Sequence, residues 1–481
     1  MPSPPPRPLR YLQYLLLPVV LLFSFQAPGL CDEAPLPKGA VVERVACRAD
    51  AKETYALYLP STYSPARRWP IVYALDARGQ ALLPLERFRA GAETYGYIVA
   101  SSYNSASDGP MQPNIAAMQA MWNDTHQRFA VDDKRVYAAG HSGTVRAACI
   151  MAAAVPGSIA GVIGAGAGFP FDQAPTKDTP FLFFGTIGNV DFNYYELQDL
   201  ENRLTDLHLP HRIEEFAGPH EWMPPELATA ALGWMDVQAM KAGTRAKDAA
   251  LVDGLWQQDL AAARAAEAAG RPFDAWRRYS AMAGEYAGVR DAAEAIAKAA
   301  ELGASKVVKE AQKERELRKR HDLEYIQQAQ QTLAATQGGG AVLGRVIAEL
   351  RIPELKAKAE KQPESDDGLS ARRLLNTLSA QTGFYLPRQA SEKKDYARAA
   401  FFLSIAAEIH PKEPYAWYNL AAAHARDGKG KEAVEELKRA AELGFHDAAT
   451  LENDANFESL RNEPGYKEAL ETVKKQAAAK G

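Results

Sequence analysis

Three residues set the chemical question. Ser142 lies in "RVYAAGHSGTVRAACIMAAA" (135–154), Asp191 in "PFLFFGTIGNVDFNYYE" (180–196) and His220 in "HRIEEFAGPHEWMPPE" (211–226). A hydroxyl is a weak nucleophile until a base takes its proton, and an imidazole base needs an acid to hold its other nitrogen. Serine, acid and histidine in that chain order are the set that attacks an acyl carbon from the top of a parallel sheet. Ser142 sits in a near match to G-x-S-x-G: Gly140, His141, Ser142 and Gly143 are present, and Thr144 replaces the last glycine. The triplet alone decides nothing, because residues 303–305 repeat it in a charged helical stretch with no strand before it. Asp191, ahead of "FNYYELQDL", also reads as a helix N-cap, and a loop histidine such as His220 also reads as a solvated surface group.

The elements around these residues separate the readings. "ETYALYLP" (53–60) alternates like an exposed strand, whereas "PIVYALDA" (70–77) is a continuous apolar run, as in a strand buried on both faces. A helical stretch at 84–95, the strand "GYIVASSY" (96–103) and an amphipathic helix at 114–129 follow, the last with Ile115, Met118, Met121 and Trp122 on one face. "RVYAAG" then leads into Ser142, and an Ala-rich helix runs on to Val155. Next come "AGVIGAGAG" (160–168), "PFLFFGTIG" (180–188), a helix near 194–207, "HRIEEFAG" (211–218) and a helix from Pro225. The alternation predicts an α/β fold, a doubly wound and mostly parallel sheet with helices on both faces. Ser142, Asp191 and His220 then fall just past the carboxyl ends of three strands, where such sheets place their ligands. The N–H of Gly143, at the mouth of a helix, is placed to bind an oxyanion.

From about Thr244 alanine, lysine and glutamate dominate and strand runs vanish. Ala399, Leu403 and Ala406 recur at Ala433, Leu437 and Ala440, a constant offset of about 34 residues. "AWYNLAAAHARDGKGKEAVEELKRAAELGF" carries Trp417, Leu420, Ala421, Gly428, Ala433 and Ala440, with Gly428 turning the chain between two close-packed helices. This stretch resembles the tetratricopeptide repeat. "AGRPFDAWRRYSAMA" repeats the scheme with Gly270, Ala275 and Tyr279, and departs from it at Met282. "HDAATLENDANFESLRNEPGYKEAL" (446–470) reads as a terminal cap. "QGGGA" (337–341) and "KQPESDDG" (361–368) read as linkers, and the basic run "KEAQKERELRKRH" (309–321) as a solvated helix face. The expected organisation is a leader at 1–31, the α/β domain at 40–242, a helical region at 245–360 and repeats at 369–481.

Residues 40–240 are similar to secreted esterases of the α/β-hydrolase superfamily, near the polyhydroxybutyrate depolymerase and feruloyl esterase group. The similarity runs through "YALYLP", "WPIVYALDARG", the Ser142 turn, Asp191 and "GPHEW" around His220. Such proteins have His-Gly or Gly-Gly after the strand that here ends in Asp76, Ala77, Arg78 and Gly79, and a backbone N–H there completes the oxyanion hole. The resemblance therefore makes Ala77 or Arg78 the second donor beside Gly143. Arg78 could instead meet an anionic substrate or pair with Asp76. Trp222 could wall the acyl pocket or anchor packing, and Tyr103 and Asn104, beyond a strand end, could contact substrate. His141, on the tight turn, and Cys149, two turns into the helix, receive no role.

The totals narrow the partners. A net charge of −4 over 481 residues leaves no basic footprint for nucleic acid. Arg7 and Arg10 precede an apolar run from Tyr11 to Phe25 interrupted by Gln13, Pro18 and Ser24, the layout of a secretory signal. Gly29 and Cys31 would flank a cut after Cys31, and Leu30 argues against lipidation there; an uncleaved anchor is the alternative. Cys47 and Cys149 read as small buried residues rather than a disulfide or metal site. No metal-binding or phosphate-cradling motif is present, so no cofactor is expected. The expectation is a secreted or periplasmic serine hydrolase acting on a small-molecule or polymer ester, with a protein or peptide on the repeats. Two alternatives stay open: an inactive hydrolase-fold platform that works by binding, and a serine peptidase of the same fold.

Overall fold

The computed structural model describes residues 36–336 and 342–480. The leader at 1–31 and the "QGGGA" linker lie outside the described residues.

Eight strands form one sheet among the described residues: β1 (Val41–Ala46), β2 (Thr54–Tyr58), β3 (Trp69–Leu75), β4 (Ile98–Ser102), β5 (Val131–His141), β6 (Gly161–Ala165), β7 (Leu182–Gly188) and β8 (His211–Phe216). Their order is β1-β2-β4-β3-β5-β6-β7-β8. β2 runs antiparallel to β1 and β4, and every pairing from β4 to β8 is parallel. The crossovers are α1 (Leu82–Tyr95), α2 (Gln112–Arg128), α3 (Gly143–Ala154) and α4 (Tyr194–Asp206), and α5 (Pro225–Lys241) follows the last strand. This is the mostly parallel sheet expected from the alternation of patterns. All seven residues of β3 are buried, which is why its sequence is continuously apolar. β6 stays close to its neighbours through small residues: a side chain at Gly161 would meet the Met235 sulfur at 3.0 Å.

The helical half contains α6 (Ala249–Ala268), α7 (Pro272–Glu285), α8 (Ala293–Ala304), α9 (Lys306–Ala335), α10 (Leu343–Glu349), α11 (Ile352–Lys361) and α12 (Asp366–Ala380). A π turn (Gln381–Tyr385) leads into α13 (Leu386–Glu392), followed by α14 (Tyr396–Ile409), α15 (Pro414–Arg426), α16 (Gly430–Glu442), α17 (Ala448–Asn453) and α18 (Pro464–Lys480). α15 and α16 form a hairpin turned at Gly428, whose φ of 76° suits glycine. Ala433, Leu437 and Ala440 are fully buried there, with Leu451, Phe457, Leu460 and Tyr466 closing the cluster. Ser305, in the stray Gly-Ala-Ser triplet, caps α9 by accepting from the Val308 N–H. Cys47 and Cys149 are free and buried.

The basic run on α9 differs from the expected solvated face. Lys319 is buried and pairs with Asp199, while Arg315 donates to Glu215 at 3.3 Å. Acidic side chains on α4 and β8 supply partners that the run itself does not reveal. The joint from α5 to α6 and α7 is an apolar cluster of Val237, Met240, Val252, Leu255 and Trp256, with polar bonds at its edge. Arg212 of β8 bonds Asp259 at 2.8 Å, and Trp234 of α5 donates to Glu285 of α7 at 2.9 Å. No described helix is long and apolar enough to cross a membrane.

Candidate active site

β5 ends at His141 and α3 begins at Gly143, so Ser142 alone makes the turn. Its backbone sits at φ 58°, ψ −130°, a region that costs a non-glycine residue about 1–3 kcal/mol and recurs at functional sites. The turn closes because its neighbours are small. A side chain at Gly140 would lie 2.6 Å from the Val145 nitrogen, and one at Gly143 would lie 2.3 Å from Ser107 Oγ. Thr144 is accommodated because its hydroxyl ties the turn to the sheet. Its Oγ1 accepts from the His141 N–H at 2.9 Å and lies 2.5 Å from the Leu75 carbonyl oxygen, a bond to β3. The Ser142 N–H donates to Ala165 O at 2.8 Å, which joins the turn to the end of β6.

The next residue, Gly166, is where the serine's support meets the other two residues. A Cβ there would lie 2.9 Å from His220 Nδ1 and 3.0 Å from Asp191 Oδ2, so the pair rests directly on glycine backbone. His220 Nδ1 is 2.8 Å from Asp191 Oδ2 and 2.9 Å from Oδ1. Asp191 is buried, and its Oδ1 also accepts the Asn193 N–H at 2.7 Å. That bond makes the local turn ahead of α4, yet the carboxylate still faces His220. His220 Nε2 is buried and makes no hydrogen bond, Ser142 Oγ included. The imidazole is gripped on two sides, by Phe192 at 4.2 Å and His141 at 4.7 Å between ring centroids.

His141 is the residue that sequence reasoning missed. Its ring lies between those of His220 and Trp222, the latter at 5.8 Å. Burial, and after it the charge of His220, push its pKa down from 6.5 to about 3. It is therefore neutral at neutral pH, and adds no positive charge beside His220. The only sequence signal was its place beside Ser142.

Gly143 is the first residue of α3, so its N–H belongs to the unpaired donors at a helix start, where the dipole favours negative charge. In the loop after β3, the Asp76 carboxylate accepts the Arg78 N–H at 2.8 Å, the Gln80 N–H at 2.9 Å and Trp222 Nε1–H at 2.8 Å. Arg78 N–H is thus already bonded, which removes it as an oxyanion donor and leaves Ala77. Asp76 pairs with the backbone of Arg78, not its guanidinium. The Ala77 carbonyl accepts the Ser107 N–H at 2.9 Å, which fixes the plane of the peptide that follows it.

Three expected substrate contacts take other places. Trp222 is 2% exposed, packs edge-on against Phe88 and spends its N–H on Asp76, so it anchors rather than lines a pocket. Asn104 accepts the Thr54 N–H and donates to Lys52 O. Tyr103 donates to Glu43 O, and the Arg44 guanidinium lies 3.9 Å from its ring centroid. Both side chains hold the β1–β2 edge, which strand-end position alone did not reveal.

No family model and no curated protein matches the chain. Among solved structures, the S-formylglutathione hydrolase of Staphylococcus aureus is 15% identical with a TM-score of 0.30, over 38% of this chain and 90% of that one. A ferulic acid esterase of Anaeromyces mucronatus is 14% identical with a TM-score of 0.31, over 40% of this chain and 87% of that one. Esterase 2 of Thermogutta terrifontis is 12% identical with a TM-score of 0.34, over 45% of this chain and all (100%) of that one. The three are a hydrolase and two esterases.

Proposed function

We propose that the chain is a serine hydrolase that cleaves carboxylic esters through an acyl-enzyme. The reading is carried by the strained turn at Ser142 with the Asp191–His220 pair seated on Gly166, one residue past the carbonyl that takes the Ser142 N–H. Ser142 Oγ attacks the ester carbon while His220 Nε2 takes its proton. The negative oxygen is held by the N–H groups of Gly143 and Ala77. His220 returns the proton to the leaving alcohol, then activates the water that frees the acid. Asp191 fixes the tautomer by accepting from Nδ1 and balances the imidazolium charge.

The α14–α16 hairpins support a tetratricopeptide-like role in holding a protein or peptide, and the leader at 1–31 supports export to the periplasm or outside. A fluorophosphonate probe tests the hydrolase reading: the intact protein should be labelled and Ser142→Ala should not. Equal labelling of the two would place the reactive group elsewhere, and the inactive platform would then be the better reading.

A further inference from the structure

Two residues link β7 to Asp191, and their backbone groups are bonded on both sides. β7 ends at Gly188, and Asn189 and Val190 follow. Their N–H groups go to the segment that carries His220: Asn189 N–H donates to Phe216 O at 2.7 Å and Val190 N–H to Gly218 O at 3.1 Å. Asn189 Oδ1 also accepts the Gly218 N–H at 3.2 Å. Gly188 lies so close that a Cβ on it would be 2.2 Å from Gly218 O and 2.3 Å from Pro219 O. The two loops are therefore one hydrogen-bonded unit, and a shift of Asn189 and Val190 disturbs Asp191 and His220 together.

Their carbonyls go to the helical half. Arg373 Nη1 donates to Asn189 O at 2.8 Å, and Asn376 Nδ2 donates to Val190 O at 2.7 Å. The two side chains are about one turn apart on α12, so one face of that helix clamps the loop before Asp191. The clamp is itself fixed. Arg373 is buried, and its guanidinium carbon lies 4.4 Å from the Tyr194 ring centroid and 5.6 Å from that of Tyr195. Asp322 of α9 accepts from Ser370 Oγ of α12 at 2.6 Å and from Tyr195 Oη at 2.5 Å. Tyr194 and Tyr195 open α4, so the same cluster holds the chain on both sides of Asp191.

Val190 is buried, so its carbonyl has no cheap substitute for the Asn376 amide. Without that donor the backbone must move or leave the oxygen unpaired, and Asp191 is the next residue. A misplacement of about 1 Å at a catalytic group can cost about 10²-fold in rate. We propose that Asn376, with Arg373 beside it, is a positioning residue that holds the Asp191–His220 pair in register through the backbone of Asn189 and Val190. On the hydrolase reading of Ser142, on which this rests, the clamped segment is the acid loop and α12 is a working part of the site.

A double-mutant cycle in the full chain tests this. Asn376→Ala removes the amide, and Asn376→Leu removes it at nearly constant volume should the alanine variant fail to fold. Either should lower kcat on p-nitrophenyl acetate about tenfold or more at nearly constant KM. In an Asp191→Asn background the same change should cost less than about twofold, because residues that act through one another are not additive. The NMR resonance of the proton on His220 Nδ1, which faces Asp191, should move or broaden in the Asn376 variants. A loss of stability alone would move neither readout. Fluorophosphonate labelling of the wild type and of Ser142→Ala is measured beside them. Labelling that depends on Ser142, with kcat unchanged, equal losses in the two backgrounds or an unmoved resonance, overturns the inference and leaves the hydrolase reading standing. Absence of labelling from the wild type overturns the hydrolase reading, and the inference with it.

Discussion

The His141 ring lies 4.7 Å from the His220 ring, a neutral imidazole against the one proposed as the base. In the unfolded chain His141 takes a proton as pH falls through 6.5, whereas in the fold burial delays this to about 3. Between those values the unfolded state binds more protons, so stability falls with pH, by at most about 1.4 kcal/mol per unit. His141→Phe removes that contribution. Urea midpoints from pH 7 to pH 4 should show the wild type losing stability faster than the variant. Parallel curves would mean that His141 titrates normally.

Asp191→Asn keeps the side-chain shape but offers His220 Nδ1 no charge and the wrong tautomer. We expect kcat on p-nitrophenyl acetate to fall by about 10³- to 10⁴-fold with little change in melting temperature. A loss below tenfold would leave Asp191 as a turn residue for α4 only.

Trp222→Phe retains the ring packed on Phe88 and deletes the Nε1–H that reaches Asp76. The loop bearing Ala77 then loses one of the three bonds on its carboxylate anchor. Turnover should drop about tenfold at nearly constant KM, since oxyanion stabilisation acts only in the transition state. A change in KM alone would return Trp222 to the pocket wall.

Composition and pattern suggest a sheet domain ending near residues 240–250 that folds and works alone. The bonds from Arg373 and Asn376 to the acid loop argue otherwise. A fragment of residues 37–242 should lose most esterase activity, and Asn376→Ala in the full chain should lower kcat more than it lowers stability. Full activity in the fragment would show that the acid loop holds without α12.

Ala433→Trp tests the hairpin. Ala433 is fully buried between α15 and α16, so a bulky ring should cost about 1–3 kcal/mol or more through overpacking. Calorimetry should show it, with ester turnover nearly unchanged.

The sheet was legible because buried parallel strands are continuous apolar runs and short loops join them to helices. β3 and the β5–Ser142–α3 unit read from residues 70–77 and 135–154, although β3 starts at Trp69 and β5 already at Val131. Ser142, Asp191 and His220 were legible for the same reason: each follows a strand end. The rest depended on contacts between distant segments. Trp222 meets Asp76 across the sheet, Asn104 turns back to β2, and the basic run on α9 finds Asp199 and Glu215 only when folded. Nor does a sequence period show that the helix will widen into a π turn ahead of Pro387.

The clamp on the acid loop joins residues 184 and 186 positions apart. A ribosome adding about 5–20 residues per second finishes Val190 roughly 10–40 s before it finishes Asn376. Through that interval the sheet can pair while the segment before Asp191 lacks its final bonds. Activity should therefore mature late, after synthesis of α12, and translation speed across the helical half should set the delay.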